Sequence, residues 1–308
     1  MRPDIESRAA LAAPSAPVSP PATWTVLDVV RWTTARFAER GLGTPRLDAE
    51  LLVAHVLALP RVQLYVQFER TLSPEELAAL RELIKRRQAG ESVAYLTGRK
   101  EFWKLEFAVD ARVLVPRPDT ETLIEEAIAR LDAAQVDAGA PPPRIADVGT
   151  GSGALAITLA KLRPGAAVFA SDASAAALEV ARANAERLGA AVTFVEGDLG
   201  APLAPHAPFS LIVANLPYIP TGELASLPPD VRSEPASALD GGADGLALVR
   251  RLVVEAPALL AAGGVLALEI GAGQAEATRA LLVAAGFDDV QARRDLGGID
   301  RVASGRKP

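Results

Sequence analysis

Asn215-Leu216-Pro217-Tyr218 closes the run Phe209–Ala214, which is apolar and β-branched enough to read as a buried strand. Pro217 biases Leu216 toward an extended backbone. Such a loop can aim the Asn215 side-chain carbonyl and the Leu216 main-chain carbonyl in one direction. Two convergent acceptors suit a planar NH2 group, and Tyr218 supplies a flat surface against which a planar amide or base can lie. The competing account is a strand-end turn, since Asn and Pro are common turn residues. What precedes the tetrapeptide decides between the two.

A glycine-rich segment, Gly149-Thr150-Gly151-Ser152-Gly153, joins a short strand over 144–148 to a helical stretch over 154–162. A turn of this kind lets the backbone approach a ligand closely and aims amides at it. Asp172 ends the next strand, where an acid can bind the two hydroxyls of a ribose. That much also fits a dinucleotide site. Two features favour S-adenosylmethionine over NAD: the spacing is G-x-G-x-G rather than G-x-G-x-x-G, and Asp198, followed by Leu199, ends the third strand as a second acid able to accept from an adenine amino group. Asp147, just before the glycines, would take a main-chain amide or the ligand's ammonium. For Asp147 and Asp198 the plainer alternative is loop capping.

With a methyl donor in view, Asn215–Tyr218 acquires a role. An amide nitrogen is a poor nucleophile because its lone pair is delocalised into the carbonyl. Accepting both of its N–H hydrogens, at Asn215 Oδ1 and the Leu216 carbonyl, would orient it and stabilise the positive charge developing on it. No strong general base is visible.

The elements that must position these groups follow a clear order. Residues 1–22 are an Ala/Pro/Ser mixture and read as a disordered tail. Residues 23–90 read as a helical domain. Val26, Val29, Val30, Thr33 and Phe37 share one helical face that ends at Gly41 and Gly43, a second helix is expected over 47–59, and Ser73-Pro74-Glu75-Glu76 is a capping box opening a third. Residues 91–118 read as a β-hairpin linker, with Trp103, Leu105, Phe107 and Val109 alternating against polar or small neighbours. From 119 to 308 strands alternate with helices. The first of these helices is expected to run to Ala138, with a Gly/Pro linker over 139–143, and later strands are expected over 209–214 and 265–270. The pattern implies a parallel sheet with helices on both faces, whose ligands sit beyond the strands' carboxyl ends. The glycine loop, Asp172, Asp198 and Asn215 all fall at such ends.

Composition narrows the chemistry. The 308 residues contain no Cys, which excludes disulfides and thiolate chemistry, and only His55 and His206, so no zinc or iron site is expected. His55 falls on an apolar helical stripe and reads as structural. A net charge of −6 argues against a surface built to grip a nucleic-acid backbone. No apolar run approaches the roughly 18 residues of a membrane span.

The chain resembles the HemK/PrmC family, the N5-glutamine methyltransferases of peptide-chain release factors. The resemblance runs from about Trp24 to Val302. It is carried by Tyr95-Leu-Thr-Gly98 with Glu101-Phe-Trp103, by Leu114–Glu121, by Asp147–Gly153, by Ala238–Leu246, by Leu268–Gly271 with Gln274, and by Asp295–Arg301. It implies a Rossmann-like class I methyltransferase domain using S-adenosylmethionine, preceded by a small helical domain that helps hold the substrate. The implied acceptor is the glutamine of the Gly-Gly-Gln loop of class-1 release factors. The expected enzyme is cytoplasmic and monomeric, with no membrane association and no stable nucleic-acid binding. One departure stands out: the family carries Asn-Pro-Pro-Tyr, whereas Leu216 takes the second place here. The group needed there is a main-chain carbonyl. Asn-Leu-Pro-Tyr is also the form of ribosomal-RNA adenine-N6 dimethyltransferases, so an adenine-N6 enzyme and a glutamine methyltransferase of a ribosomal protein are the rival readings.

Overall fold

The computed structural model describes residues 23–134 and 142–308. The expected tail over 1–22, the end of the helix expected to reach Ala138 and most of the linker after it lie outside the described residues. The chain divides into two units, Met1–Ile84 and Lys85–Pro308.

The first unit is helical. α1 (Val26–Glu39) buries Val26, Val29, Thr33 and Phe37, one stripe at helical spacing, and Thr25 and Asp28 close a reciprocal capping box at its start. α2 (Pro45–Val56) contributes the fully buried Leu52 and Val53, with His55 half-buried, and a single turn, α3 (Gln63–Val66), follows. α4 (Pro74–Gln88) opens on the second capping box: Ser73 Oγ accepts the Glu76 N–H at 3.2 Å and Glu76 Oε2 accepts the Ser73 N–H at 2.8 Å.

In the second unit a short helix, α5 (Val93–Thr97), leads into the hairpin of β1 (Arg99–Phe102) and β2 (Leu105–Ala108). The alternating run begins at Trp103, but the strand itself begins at Leu105. The chain turns at Trp103-Lys104, both left-handed with φ of 50° and 60°. Distant packing accounts for it. Phe102 and Phe107 meet edge to face at 6.2 Å and sink into the unit's core, while Glu121 accepts the Trp103 N–H at 2.9 Å. A diagonal aromatic pair thus holds a tight turn that its own two residues disfavour.

A 3-10 turn over Pro118–Thr120 enters α6 (Glu121–Ala134). Then come β3 (Arg144–Val148), α7 (Ala154–Leu162), β4 (Ala167–Asp172), α8 (Ala175–Leu188), β5 (Val192–Glu196) and β6 (Phe209–Ala214). The chain ends with α9 (Pro229–Arg232), α10 (Ala247–Leu259), β7 (Leu260–Glu269), α11 (Ala275–Ala284), β8 (Asp288–Arg294) and β9 (Asp300–Arg306). β7 begins five residues before the expected 265, because Pro257 removes a helical donor and α10 stops just beyond it.

The seven strands stand in the order β5-β4-β3-β6-β7-β9-β8; the first five are parallel and β9 is antiparallel to both neighbours. Two cores flank the sheet, and strand alternation sorts residues between them. Ile145, Leu211, Val213, Val265 and Ala267 join the core built with α6, α7 and the hairpin. Ala146, Val148, Ile212, Ala214, Leu266 and Leu268 join the one built with α10. This parity later decides which way Asp147, Asn215 and Glu269 point.

Candidate active site

The chain runs from β3 outward to β5, then crosses back to β6 on the other side of β3. β3 and β6 are therefore the pair at which strand order reverses, the place where such sheets bind ligands. Val148 pairs with Ala214 across them, so the glycine loop and Asn215 leave the sheet side by side. Gly149, Gly151 and Gly153 all have left-handed φ, at 74°, 54° and 84°. A β-carbon on Gly151 would meet nothing within 4 Å, whereas one on Gly153 would stand 2.8 Å from Ile157 Cδ1. Gly151 is the open point of the cradle, and Gly153 lets α7 pack.

The acids divide by function. Asp172 Oδ2 accepts the Gly151 N–H at 2.8 Å and Oδ1 accepts the Ser174 N–H at 2.9 Å, so this side chain shapes the loop as well as facing the cavity. Its remaining lone pairs are the ones open to hydroxyl donors. Asp198 borders the cavity and pairs with Arg251. Asp147 does not border it. By strand parity it points beneath α7, fully buried, where Oδ2 accepts from the Thr150 hydroxyl at 2.6 Å and the Ala156 N–H at 3.1 Å. Burial pushes its carboxyl up to about 7. Of the two roles expected for Asp147, the structure realises the main-chain amide; contact with a ligand's ammonium is corrected, because α7 covers the side chain.

Asn215 donates through Nδ2 to Thr120 Oγ1 at 3.1 Å, and among the described residues Oδ1 has no partner. Leu216 is buried behind the glycine loop, and its Cδ2 lies 3.1 Å from where a β-carbon on Gly149 would stand. The carbonyl of Tyr218 accepts from Gln274 Nε2 at 2.9 Å, and Gln274 Oε1 accepts the Gly271 N–H at 2.8 Å, so one side chain locks the end of the tetrapeptide. Burial, reinforced by the nearby Glu269, pushes the Tyr218 phenol up to about 12.

Glu269 ends β7 and is 1% exposed. Among the described residues neither of its oxygens has a partner of good hydrogen-bond geometry. The hydroxyls of Thr120 and Tyr218 nevertheless face it, and with Arg301 they favour its charged form against a burial that pushes it up to about 7.

One cavity of about 500 Å³ gathers most of these groups: Gly149, Thr150, Gly151, Ser152, Asp172, Asp198, Leu199, Asn215, Leu216 and Pro217 line it. Gly153 and Tyr218 are not in its wall: Gly153 faces α7 and α8, and the Tyr218 phenol is turned to Glu269. Other lining groups escaped sequence reasoning, among them Thr120, Val113, Leu114, Pro235, Ser237 and Ala238. Glu234, buried, ties these walls together by accepting the Val115 N–H at 3.1 Å and pairing with Arg117. The Leu114–Glu121 motif was the available signal, since it contains Thr120. A cavity of this size with a glycine cradle, two carboxylates on one rim and apolar walls fits S-adenosylmethionine.

A doubly wound sheet in this strand order with such a cradle at its reversal point defines a methyltransferase domain, and residues 145–229 match the family model of that description. Residues 28–98 match the model described as the PrmC N-terminal domain. A release factor glutamine methyltransferase of Geobacter sulfurreducens is 45% identical over 93% of this chain and 98% of its own length. That of Chlorobaculum tepidum is 46% identical over 90% of this chain and 96% of its own. The chain belongs to the release factor glutamine methyltransferase family. Among solved structures, the hMettl16 catalytic domain in complex with MAT2A 3′UTR hairpin 1 shares the fold, with a TM-score of 0.52 at 15% identity over 78% of this chain and 83% of that one.

Proposed function

We propose that the chain transfers a methyl group from S-adenosylmethionine to the side-chain amide nitrogen of the glutamine in the Gly-Gly-Gln motif of class-1 release factors. The observation that carries this reading is the Asn215 carboxamide, which borders the cavity with Nδ2 engaged by Thr120 and Oδ1 unpartnered among the described residues. Membership of the family supports the choice of acceptor.

Gly149–Gly153 cradle the donor, Asp172 accepts from its ribose, and Asp198 and Leu199 flank its adenine. Bound there, S-adenosylmethionine supplies an electrophilic methyl group carried on a cationic sulfur. Asn215 Oδ1 and the Leu216 carbonyl each accept one N–H of the acceptor amide. Together they fix its plane and stabilise positive charge on its nitrogen. Pro217 stiffens the loop, while Tyr218 and Gln274 anchor its end. We assign release-factor docking to the helical segment 23–90, the linking role to the hairpin region 91–118, and methyl transfer to 119–308. The enzyme acts as a monomer in the cytoplasm, where release factors work, without stable nucleic-acid binding.

The test offers labelled S-adenosylmethionine with a class-1 release factor, its Gln→Ala loop variant and unmodified ribosomal RNA. Label confined to the unaltered release factor is the expected result. Label in the RNA alone would overturn it in favour of an adenine acceptor.

A further inference from the structure

Asn215 and Glu269 stand one residue past the last paired positions, Ala214 and Leu268, of the adjacent strands β6 and β7. Strand parity turns both toward the face covered by α6, because Val213 and Ala267 two residues earlier already lie in that core. Thr120, the residue before α6, meets them there and is itself buried. It accepts from Asn215 Nδ2 at 3.1 Å, and its hydroxyl faces Glu269. The geometry points to Thr120 and Glu269 as positioning residues that set the direction of the Asn215 carboxamide, holding its oxygen rather than its nitrogen toward the acceptor.

Hydrogen-bond polarity sets this direction. An asparagine amide has two faces that differ little in shape, and only one of them can receive an NH2 group. Turned over, Asn215 would present its own N–H hydrogens to those of the acceptor. A threonine hydroxyl has one proton to give. An ionised carboxylate only accepts, so Glu269 takes that proton and leaves the Thr120 oxygen able only to accept from Asn215. The chain of donors then runs Asn215 to Thr120 to Glu269, and Asn215 Oδ1 is left for the substrate. The Tyr218 phenol faces the same carboxylate, so both ends of the tetrapeptide adjoin one acidic group. Protonation of Glu269 reverses the polarity: the acid can donate to Thr120, whose own proton is freed for Asn215 Oδ1.

The groups facing Glu269 are Thr120 and Asp119 from the turn before α6, Tyr218 from the loop after β6, and Arg301 from β9. Arg301 is shared with Asp119 at 3.3 Å and Asp295 at 3.2 Å. The hydroxyls and Arg301 favour the carboxylate, Asp119 opposes it, and burial brings its proton loss to about pH 7.

This inference rests on the two-acceptor reading above, and the experiment separates the two. Methyl transfer to a class-1 release factor is measured across pH for the full chain and for Thr120→Val, Thr120→Ser, Glu269→Gln and Asn215→Ala, with S-adenosylmethionine affinity followed by calorimetry. Thr120→Val should lower kcat roughly ten- to hundredfold with donor affinity unchanged, the scale of a misaligned acceptor, and Thr120→Ser should restore most of it. The unaltered enzyme should lose kcat as pH falls through about 7, and Glu269→Gln should lack that limb. Equal kcat in Thr120→Val and the unaltered enzyme, with Asn215→Ala inactive, would overturn the polarity argument alone. A fully active Asn215→Ala would overturn the two-acceptor reading beneath it.

Discussion

Leu216 Cδ2 lies 3.1 Å from the point where a β-carbon on Gly149 would stand, so the side chain that replaces the family's proline packs directly behind the glycine cradle. Gly149 also has a φ of 74°. The Gly149→Ala variant meets both a backbone penalty and a clash. It should lose about 1–3 kcal/mol of stability and bind S-adenosylmethionine more weakly, read by thermal unfolding and calorimetry on one preparation. Unchanged values for both would mean that Leu216 yields freely and does not brace the loop.

Asp172 and Asn215 should separate binding from transfer. Asp172 holds the Gly151 and Ser174 amides as well as facing the cavity, so Asp172→Ala should weaken donor binding first. Asn215→Ala should keep donor affinity and lose roughly two to three orders of magnitude in kcat, the range seen when one preorganised polar contact is removed. Equal losses of affinity in both variants would place Asn215 in the donor site instead.

Asn184 supports the loop from behind. Fully buried on α8, it accepts the Ala108 N–H at 2.8 Å and donates to the carbonyls of Ala108 at 2.9 Å and Ser152 at 3.0 Å. Asn184→Leu strands all three main-chain groups. A loss of about 3 kcal/mol or more is expected in denaturant unfolding, with weaker donor binding because Ser152 belongs to the cradle. A near-neutral result would show that water or a shift of β2 replaces the bridge.

Asp147 makes stability depend on pH. Burial raises its folded value from 3.8 to about 7. A carboxyl raised in this way holds its proton more tightly in the folded state. Its contribution to stability is whole below 3.8 and is lost as pH rises through about 7. Asp147→Asn does not titrate, and Glu269, which shifts in the same direction, is present in both proteins and cancels in the comparison. The variant should therefore gain on the unaltered protein between about pH 4 and 8, by a few kcal/mol at about 1.4 kcal/mol per pH unit. A constant difference across that range would mean the buried carboxyl titrates normally.

The sequence by itself determined the order of elements, the glycine loop, the acid at the end of β4 and the asparagine at the end of β6. These are local signals: strand and helix periodicity, caps and turn residues act within a few positions, and strand ends in such a sheet share a rim by construction. Tertiary structure alone decided what those side chains meet. Asn215 and Thr120 are 95 residues apart, and nothing near either one announces the other. The hairpin's turn falls at Trp103-Lys104, two left-handed non-glycine residues, where Phe102 and Phe107 are held by the core. Asp147 adjoins the glycines in sequence but is covered by α7, so adjacency put it at the site and packing withdrew it. Periodicity says which face a residue occupies; only the strand order of the folded sheet says which distant residue shares that face.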